Sequence, residues 1–176
     1  MPRALSSGKT MEQEDQMTAA HPFPTPPQTL EPDWMDYNGH LNMAYYNVLF
    51  DRAVDHFLDD LGCGEAYRKS ENRSFFTAEV HVCYVRELKA GSTVRATIRV
   101  VDVDAKRIHV FEELYHEDGW LAATSEALLL HIDMTGPKVT AMPEALVARF
   151  GEIAASHTEL PADERIGRSI GIRRKS

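Results

Sequence analysis

One long amphipathic helix constrains the fold of this chain more than any other feature. Between Met43 and Leu61 apolar side chains recur every three or four residues, while the aspartates of the same stretch fall largely on other faces. Asn42 is a suitable N-cap, and Gly62 stands where a left-handed residue ends a helix. About 19 residues, each rising about 1.5 Å, make a rod of roughly 28 Å. The helix is therefore long enough to cross a whole sheet.

The chain after this helix changes its period and predicts strands. Every second residue is apolar from Phe76 to Tyr84 and again from Val94 to Val100, which is typical of half-buried strands. A third strand is expected from about Lys106 to His116, and Asp118-Gly119 predicts a hairpin turn into a fourth, from Trp120 to Asp133.

Shorter segments flank this pattern. Residues 22–27 hold four prolines and predict an extended stretch, and Gln28 to Trp34 is a candidate edge strand. Pro143 to Ala155 predicts a short second helix. In the fourth strand, Leu128-Leu129-Leu130 has apolar side chains on both faces, which indicates cover by the helix on one face and by a second subunit on the other.

The order of elements is therefore a strand, a long helix and an antiparallel meander of four strands. It predicts an α+β domain of the hotdog fold, in which a curved antiparallel β-sheet wraps around one long central α-helix. We assign residues 25–158 to this domain, residues 1–24 to a flexible N-terminal extension and residues 159–176 to a basic flexible tail.

Composition and charge exclude several function classes. The formal charge of -8 argues against non-specific binding to nucleic acid or to a membrane surface. The two cysteines, Cys63 and Cys83, are spaced for neither a disulfide framework nor a metal site. No stretch reaches the roughly 18 to 20 apolar residues of a membrane span, and no apolar run of signal-peptide length opens the chain. We expect a cytoplasmic protein.

A polar turn leads directly into the long helix and is the candidate active site. It reads Asp36-Tyr37-Asn38-Gly39-His40-Leu41-Asn42. The turn combines a carboxylate, a histidine, a glycine that lets the backbone approach a ligand, and two asparagines able to cap a helix. The first N–H groups of a helix lack intrahelical acceptors, so the amides from Gly39 to Met43 are candidate donors to an anionic oxygen beside Asp36.

The turn resembles the D-x-x-G-H-x-N signature of the 4-hydroxybenzoyl-CoA thioesterase-like hotdog proteins. Three further stretches are similar to a bacterial subgroup that includes betainyl-CoA thioesterases of carnitine breakdown: YVRELKAG at 84–91, DVDAKR at 102–107 and LAATSE at 121–126. The resemblance covers roughly residues 25 to 145. It implies an acyl-CoA thioesterase that works as a homodimer or homotetramer, with coenzyme A arriving as part of the substrate and no separate cofactor.

The resemblance also implies roles for the residues of the turn. Asp36 matches the aspartate that attacks the thioester carbonyl or activates water; the alternative is that Asp36 only stabilises the turn. In the first case the amides from Gly39 to Met43 are placed to hold the oxyanion. His40 either holds the carboxylate or a water molecule or is a plain hydrogen-bonding residue. Asn42 either caps the helix or positions the substrate. One carboxylate and one helix start suffice, because a thiol with a pKa of about 8.5 departs readily.

Other residues are candidates for binding the substrate. Glu79 and His81 lie on the polar face of a predicted strand, either as general-base partners across a dimer interface or as part of a solvated face. Candidates for the phosphates of coenzyme A are Arg86, Lys89, Lys106 and Arg107 and, in the tail, Arg165, Arg168, Arg173, Arg174 and Lys175. A betainyl group carries a trimethylammonium head, which favours aromatic faces and an acidic neighbour. The aromatic candidates are Trp34, Tyr37, Tyr45, Tyr46 and Phe75.

Two other hypotheses also fit this sequence. A hotdog hydratase or dehydratase uses a histidine together with a carboxylate on the helix, but Asp55 and His56 are adjacent in the sequence and face different ways. A non-catalytic acyl-CoA-binding protein would bind its ligand tightly and release no free thiol.

Overall fold

The computed structural model describes residues 21–172 and Arg174. Within them the chain forms three α-helices, which are α1 Met43–Asp60, α2 Glu65–Glu71 and α3 Glu144–His157. It also forms seven strands, which are β1 Phe23–Pro24, β2 Gln28–Thr29, β3 Arg73–Tyr84, β4 Thr93–Val103, β5 Arg107–His116, β6 Leu121–Asp133 and β7 Lys138–Val139. The predicted N-terminal extension lies almost wholly outside the described residues, as do the tail candidates Arg173 and Lys175.

The strands join in one antiparallel sheet with the order β1-β4-β5-β6-β3, while β2 also pairs with β4 and β7 with β6. The predicted meander is correct for β4, β5 and β6 but wrong for β3, which pairs with β6. The connection after β3, residues 85–92, is not a tight hairpin. Its Leu88 is buried, and the Leu88 carbonyl accepts the Leu41 N–H at 2.8 Å. The chain therefore passes the turn before α1 instead of folding back beside β3.

The predicted central helix is confirmed and packs on the inner face of this sheet. At its start the side-chain oxygen of Asn42 accepts the Ala44 N–H at 3.0 Å, and past its end Gly62 has a φ of 73°. The apolar stripe of α1 is buried and comprises Tyr46, Leu49, Phe50, Ala53, Val54, Phe57 and Leu58. It forms one continuous core with inward-facing side chains of β4, β5 and β6.

Two short segments differ from the sequence prediction. The candidate edge strand from Gln28 to Trp34 is a strand only at Gln28–Thr29, and Pro32–Trp34 is a 3-10 turn. Proline cannot donate to a strand ladder and is well suited to the first position of a helical turn. Helix α2 was not predicted, because none of its residues is buried and it carries no apolar periodicity.

The C-terminal part begins with α3, which confirms the predicted second helix. Its Phe150 ring contacts the rings of Phe57 and Phe75, with centroids 6.0 and 6.2 Å apart. Beyond α3, the Gly167 N–H donates to Glu126 Oε1 at 2.8 Å, so part of the tail lies on the sheet. The flexibility of this tail stays a prediction. No helix among residues 21–172 is long and apolar enough to cross a membrane.

Candidate active site

The segment before α1 folds into a closed turn that fixes Asp36 beside the start of the helix. Met35 and Leu41 form an antiparallel bridge. Inside it, the Asp36 N–H donates to the His40 carbonyl at 2.8 Å, and the Gly39 N–H donates to the Asp36 carbonyl at 3.0 Å. Gly39 has a φ of 77°, which a residue with a side chain rarely adopts. The sequence therefore specifies a rigid turn at this position.

The Asp36 carboxylate is half-buried and ties the turn together with one of its two oxygens. Its Oδ1 accepts the N–H groups of Asn38 at 2.8 Å and His40 at 3.2 Å, whereas Oδ2 accepts only the Asn38 side-chain amide at 3.4 Å. Partial burial raises the pKa of Asp36, but these hydrogen bonds outweigh it and hold the pKa below its usual value. Asp36 is thus a carboxylate at neutral pH, with Oδ2 the less occupied oxygen.

The backbone amides of the turn are nearly all used inside the protein. Residues 39–42 donate as follows: Gly39 to the Asp36 carbonyl, His40 to the Asp36 carboxylate, Leu41 to the Leu88 carbonyl and Asn42 to the Trp34 carbonyl. Among residues 39–43, only the N–H of Met43, the first residue of α1, has no acceptor within residues 21–172. The predicted set of oxyanion donors therefore narrows to Met43.

Asp36 and Met43 line a cavity of about 720 Å³ at the N-terminus of α1. Its walls come from the turn, from the first turn of α1, and from the end of β3 with the loop that follows it. The cavity brings together most of the turn candidates and some of the binding candidates, namely Asp36, Tyr37, His40, Asn42, Met43, Tyr46 and Arg86. Gly39 is not part of the lining, and its role is to shape the turn.

The remaining candidates lie elsewhere in the chain. Trp34 is buried and stacks on Tyr45 with ring centroids 5.1 Å apart, and Phe75 packs against α3. Glu79, His81, Arg107 and Arg168 line a second cavity of about 540 Å³. Lys89 and Lys106 are exposed and line neither cavity. Within one chain, these residues do not meet Asp36.

Comparison with known proteins identifies the family. The model of the thioesterase-like superfamily matches residues 30–150. The chain belongs to this superfamily. Betainyl-CoA thioesterase of Pseudomonas aeruginosa is 35% identical over 142 residues, which cover 80% of this chain and 89% of that protein. The enzyme is therefore a thioester hydrolase.

Two further similarities extend this result. An L-carnitine dehydrogenase/betainyl-CoA thioesterase of Rhizobium meliloti is 33% identical over 142 residues, which cover 80% of this chain but 28% of that longer protein. A Staphylococcus aureus protein solved in complex with CoA superposes with a TM-score of 0.77 at 29% identity, over 88% of this chain and 98% of that chain. The hotdog fold of this thioesterase is thereby confirmed.

Sequence reasoning missed two polar residues that line the cavity beside Asp36, Tyr84 and Glu87. The Tyr84 ring meets the Tyr46 ring edge-on, with centroids 5.0 Å apart. Burial raises the pKa of Tyr46, and the nearby Tyr84 and Glu87 raise it further. Tyr84 ends the alternating pattern of β3, so its place beside α1 depends on the pairing of β3 with β6 and was not visible in the sequence.

A third missed residue, Glu112, did leave a signal. It lies in phase with Ile108, Val110 and Leu114, all of which are buried on the inner face of β5. An acid on the apolar face of a strand is unusual, because a buried carboxyl group needs a partner. Glu112 is 1% exposed.

The second cavity lies on the outer face of the sheet, away from α1. Its central pair is His109 and Glu126, with Nε2 and Oε1 2.7 Å apart, and Glu126 also accepts the Gly167 N–H. Arg107 is already paired with Asp104, with Nε and Oδ2 2.7 Å apart. No group of side chains among residues 21–172 is arranged to hold a metal ion.

Proposed function

We propose that this thioesterase hydrolyses betainyl-CoA to glycine betaine and free CoA at the Asp36 site. The observation that carries the proposal is an ionised carboxylate and a single unpaired helix amide lining the same cavity. The names of the similar proteins from Pseudomonas and Rhizobium support the choice of acyl group. The CoA complex of the Staphylococcus protein supports a CoA thioester as the substrate.

The geometry suits acyl transfer to water. The thioester carbonyl oxygen accepts the Met43 N–H, and the positive end of the α1 dipole stabilises the negative charge that develops there. Asp36 Oδ2 either attacks the carbonyl carbon or takes a proton from a water molecule that attacks it. In both routes the carbon–sulfur bond breaks and the thiolate of CoA leaves with the bonding electrons. Water supplies the second oxygen of the acid product.

Recognition of the CoA portion needs local positive charge on a chain of net charge -8. Arg86 lines the active-site cavity, and its guanidinium lies 4.1 Å from the centroid of the Trp120 ring. This stacking restrains a long side chain at the rim of the site. Arg86 is thus our first candidate for a phosphate of CoA, ahead of Lys89 and Lys106.

The exposed edge of the sheet supports a homodimer. Strand β3 ends the sheet path, and its outer edge has no strand beside it among the described residues. Along it, Phe76, Val80 and Tyr84 are 43%, 45% and 49% exposed. A long edge strand with exposed apolar side chains is a surface that native proteins pair or cover. We propose that two copies join through β3. Size-exclusion chromatography with light scattering tests the dimer.

The oxyanion assignment has a sharp test at Met43. Proline removes the Met43 N–H, yet it is well tolerated at the first position of a helix. Asn42 already has φ -62° and ψ 139°, the extended conformation that precedes proline. We expect Met43→Pro to lower kcat for betainyl-CoA by about 10²- to 10³-fold. The matched control Met43→Ala keeps the amide and should lose far less.

The assay is the release of free thiol from a panel of acyl-CoAs. Equal turnover of Met43→Pro and Met43→Ala would remove the amide from the mechanism. Tight binding of acyl-CoA by the wild-type protein without release of thiol would instead favour the non-catalytic alternative. Circular dichroism of both variants shows whether α1 has kept its helical content.

A further inference from the structure

Glu112 is a buried acid that the mechanism above does not use. It lies on the inner face of β5, and its Oε1 has no hydrogen-bond partner among the residues that the structure describes. The side chain lines a cavity of about 300 Å³ between α1 and the sheet. Burying a carboxyl oxygen without a partner is destabilising, so such an atom beside an open cavity indicates a ligand.

The cavity has apolar walls and an acidic character. Phe50, Val54 and Val80 supply much of the apolar wall. Asp51 reaches the cavity from α1, and no basic side chain among the described residues lines it. Burial raises the pKa of Glu112 to about 8, the Ser125 hydroxyl on β6 lowers it, and Asp51 raises it again. Strand β3 contributes no charged group here. A cation with an apolar surface would match both the acids and the walls of this cavity.

We propose that this cavity holds the quaternary ammonium head of an acyl group whose thioester lies at the partner's Asp36. The proposal rests on the proposed function, and it adds Glu112 and Asp51 as the residues that select a cationic acyl group. The methyl groups of a trimethylammonium ion contact the apolar wall, and its charge is balanced by the two acids.

The Met43 amide and the acidic cavity of one chain lie too far apart for a single betainyl group, so a second copy must complete the site. Met43, at the proposed oxyanion site, and Asp51 lie eight residues apart, which corresponds to about 12 Å of helix. In a betainyl group one methylene separates the carbonyl carbon from the nitrogen. Such a group does not reach from the Met43 amide to Asp51 and Glu112 of the same chain.

Pairing of two β3 edges removes this difficulty. A two-fold axis near Val80 sets the strands antiparallel, so that the Tyr84 end of one lies beside the Thr77 end of the other. Tyr84 lines the Asp36 cavity, and Thr77 lines the Glu112 cavity. The dimer therefore brings the reaction site of one protomer next to the acidic cavity of its partner.

A pair of substrates that differ by one atom tests the selection of charge. In 3,3-dimethylbutanoyl-CoA a carbon replaces the nitrogen of betainyl-CoA, so shape is kept and charge is lost. We expect Glu112→Gln to lower the ratio of kcat/KM for betainyl-CoA over the neutral analogue by at least about tenfold. Asp51→Asn should lower it in the same direction. Glu113→Gln, the neighbouring acid on the outer face of β5, should leave the ratio unchanged.

Mixed dimers test the position of the cavity across the interface. Glu112→Gln chains are refolded with an excess of Asp36→Asn chains, which keep Glu112 but lack the reacting carboxylate. In a mixed dimer, the intact Asp36 then faces an intact Glu112 only if the site is shared between protomers. We expect the ratio to return toward the wild-type value.

Each result bears on the proposal. A ratio that falls in Glu112→Gln and recovers in mixed dimers supports it. A ratio that does not fall, or that falls without recovery, overturns it. Failure of the wild-type enzyme to hydrolyse either thioester would overturn the proposed function itself, and this outcome is distinct because it precedes any comparison of variants.

Discussion

Two carboxyl groups of this thioesterase, Asp36 and Glu112, face opposite surroundings. Asp36 is only partly buried and receives two backbone N–H groups, which lower its pKa. Glu112 is almost wholly buried, leaves one oxygen unpaired and has its pKa raised to about 8. The comparison shows that burial and the supply of hydrogen-bond donors, more than the residue type, decide which carboxyl group is charged at neutral pH.

The contrast also separates the two tasks that we propose for these groups. A group that attacks or activates water must be ionised before the substrate arrives, and the turn around Asp36 ensures this. A group that selects a cation gains from ionising only when the cation is present, because an unbalanced buried charge is destabilising. Variants at the two positions should therefore differ in what they change, activity for Asp36 and the pH dependence of stability for Glu112.

Replacement of Asp36 by Asn should have the largest effect on activity. The Asn oxygen can still accept the N–H groups of Asn38 and His40, so the turn is preserved while the charge is lost. We expect kcat to fall on the order of 10³-fold with little change in melting temperature. Stopped assays of thiol release and thermal unfolding measure the two quantities. Turnover within tenfold of wild type would show that Asp36 only stabilises the turn.

Replacement of Glu112 by Gln should change the pH dependence of stability. The folded-state pKa of Glu112 is raised from 4.5 to about 8, so the folded state binds its proton more tightly than the unfolded state. The stabilisation is complete below the unfolded pKa and is lost as pH rises toward 8, by on the order of 4 kcal/mol. Glu112→Gln lacks this loss. The unfolding free energy of Glu112→Gln minus that of wild type should therefore increase between about pH 5 and pH 8.

Urea unfolding at equal protein concentration measures this difference, since the stability of the proposed dimer would depend on concentration. Glu113→Gln is again the matched control and should follow the wild-type curve. Parallel curves for wild type and Glu112→Gln across this range would mean that Glu112 has an ordinary pKa, and the contrast with Asp36 would fail.

Local signals in the sequence predicted the turn and the helix that position Asp36. The 3.6-residue period of α1 and its Asn42 cap are properties of neighbouring residues, and so is the turn at Gly39. The resemblance to hotdog thioesterases rests on the same turn and on three other short stretches. These features could be read without knowing which strands pair, and the structure confirms the helix and the fold.

The surroundings of Glu112 depend on contacts between residues far apart in the sequence. The pairing of β3 with β6 sets Val80 opposite Ala127 and so forms part of the wall of the Glu112 cavity, which Thr77 and Ser125 also line. The period of β3 does not specify its neighbour, and a four-stranded meander fitted the pattern equally well. Glu112 was visible only as an acid out of place on an apolar face.

Replacement of Gly39 by Ala tests how strongly the Asp36 turn depends on its backbone. Gly39 has a φ of 77°, and an added methyl group would meet no atom within 4 Å, so the cost comes from the backbone alone. We expect a loss of about 1 kcal/mol in unfolding free energy together with a fall in kcat/KM. Gly119→Ala, with a φ of 83° in the β5–β6 hairpin, is the control. Gly119→Ala should lose the same stability and keep its activity. If its kcat/KM fell as far as that of Gly39→Ala, the fall would follow from lost stability, and Gly39 would have no specific role in the site.

The smallest expected effect is at Asn42, whose role as cap or as substrate contact the sequence left open. Its side-chain oxygen accepts the Ala44 N–H at 3.0 Å, and Asn42 also lines the active-site cavity. Asn42→Ala should cost about 1 kcal/mol of stability, and Asn42→Ser should recover most of it, because serine is a good N-cap. If capping is the whole role, Asn42→Ser also restores kcat/KM for betainyl-CoA. If Asn42→Ser recovered the stability but not kcat/KM, Asn42 would also position the substrate. The residue that caps α1 would then take part in the reaction as well.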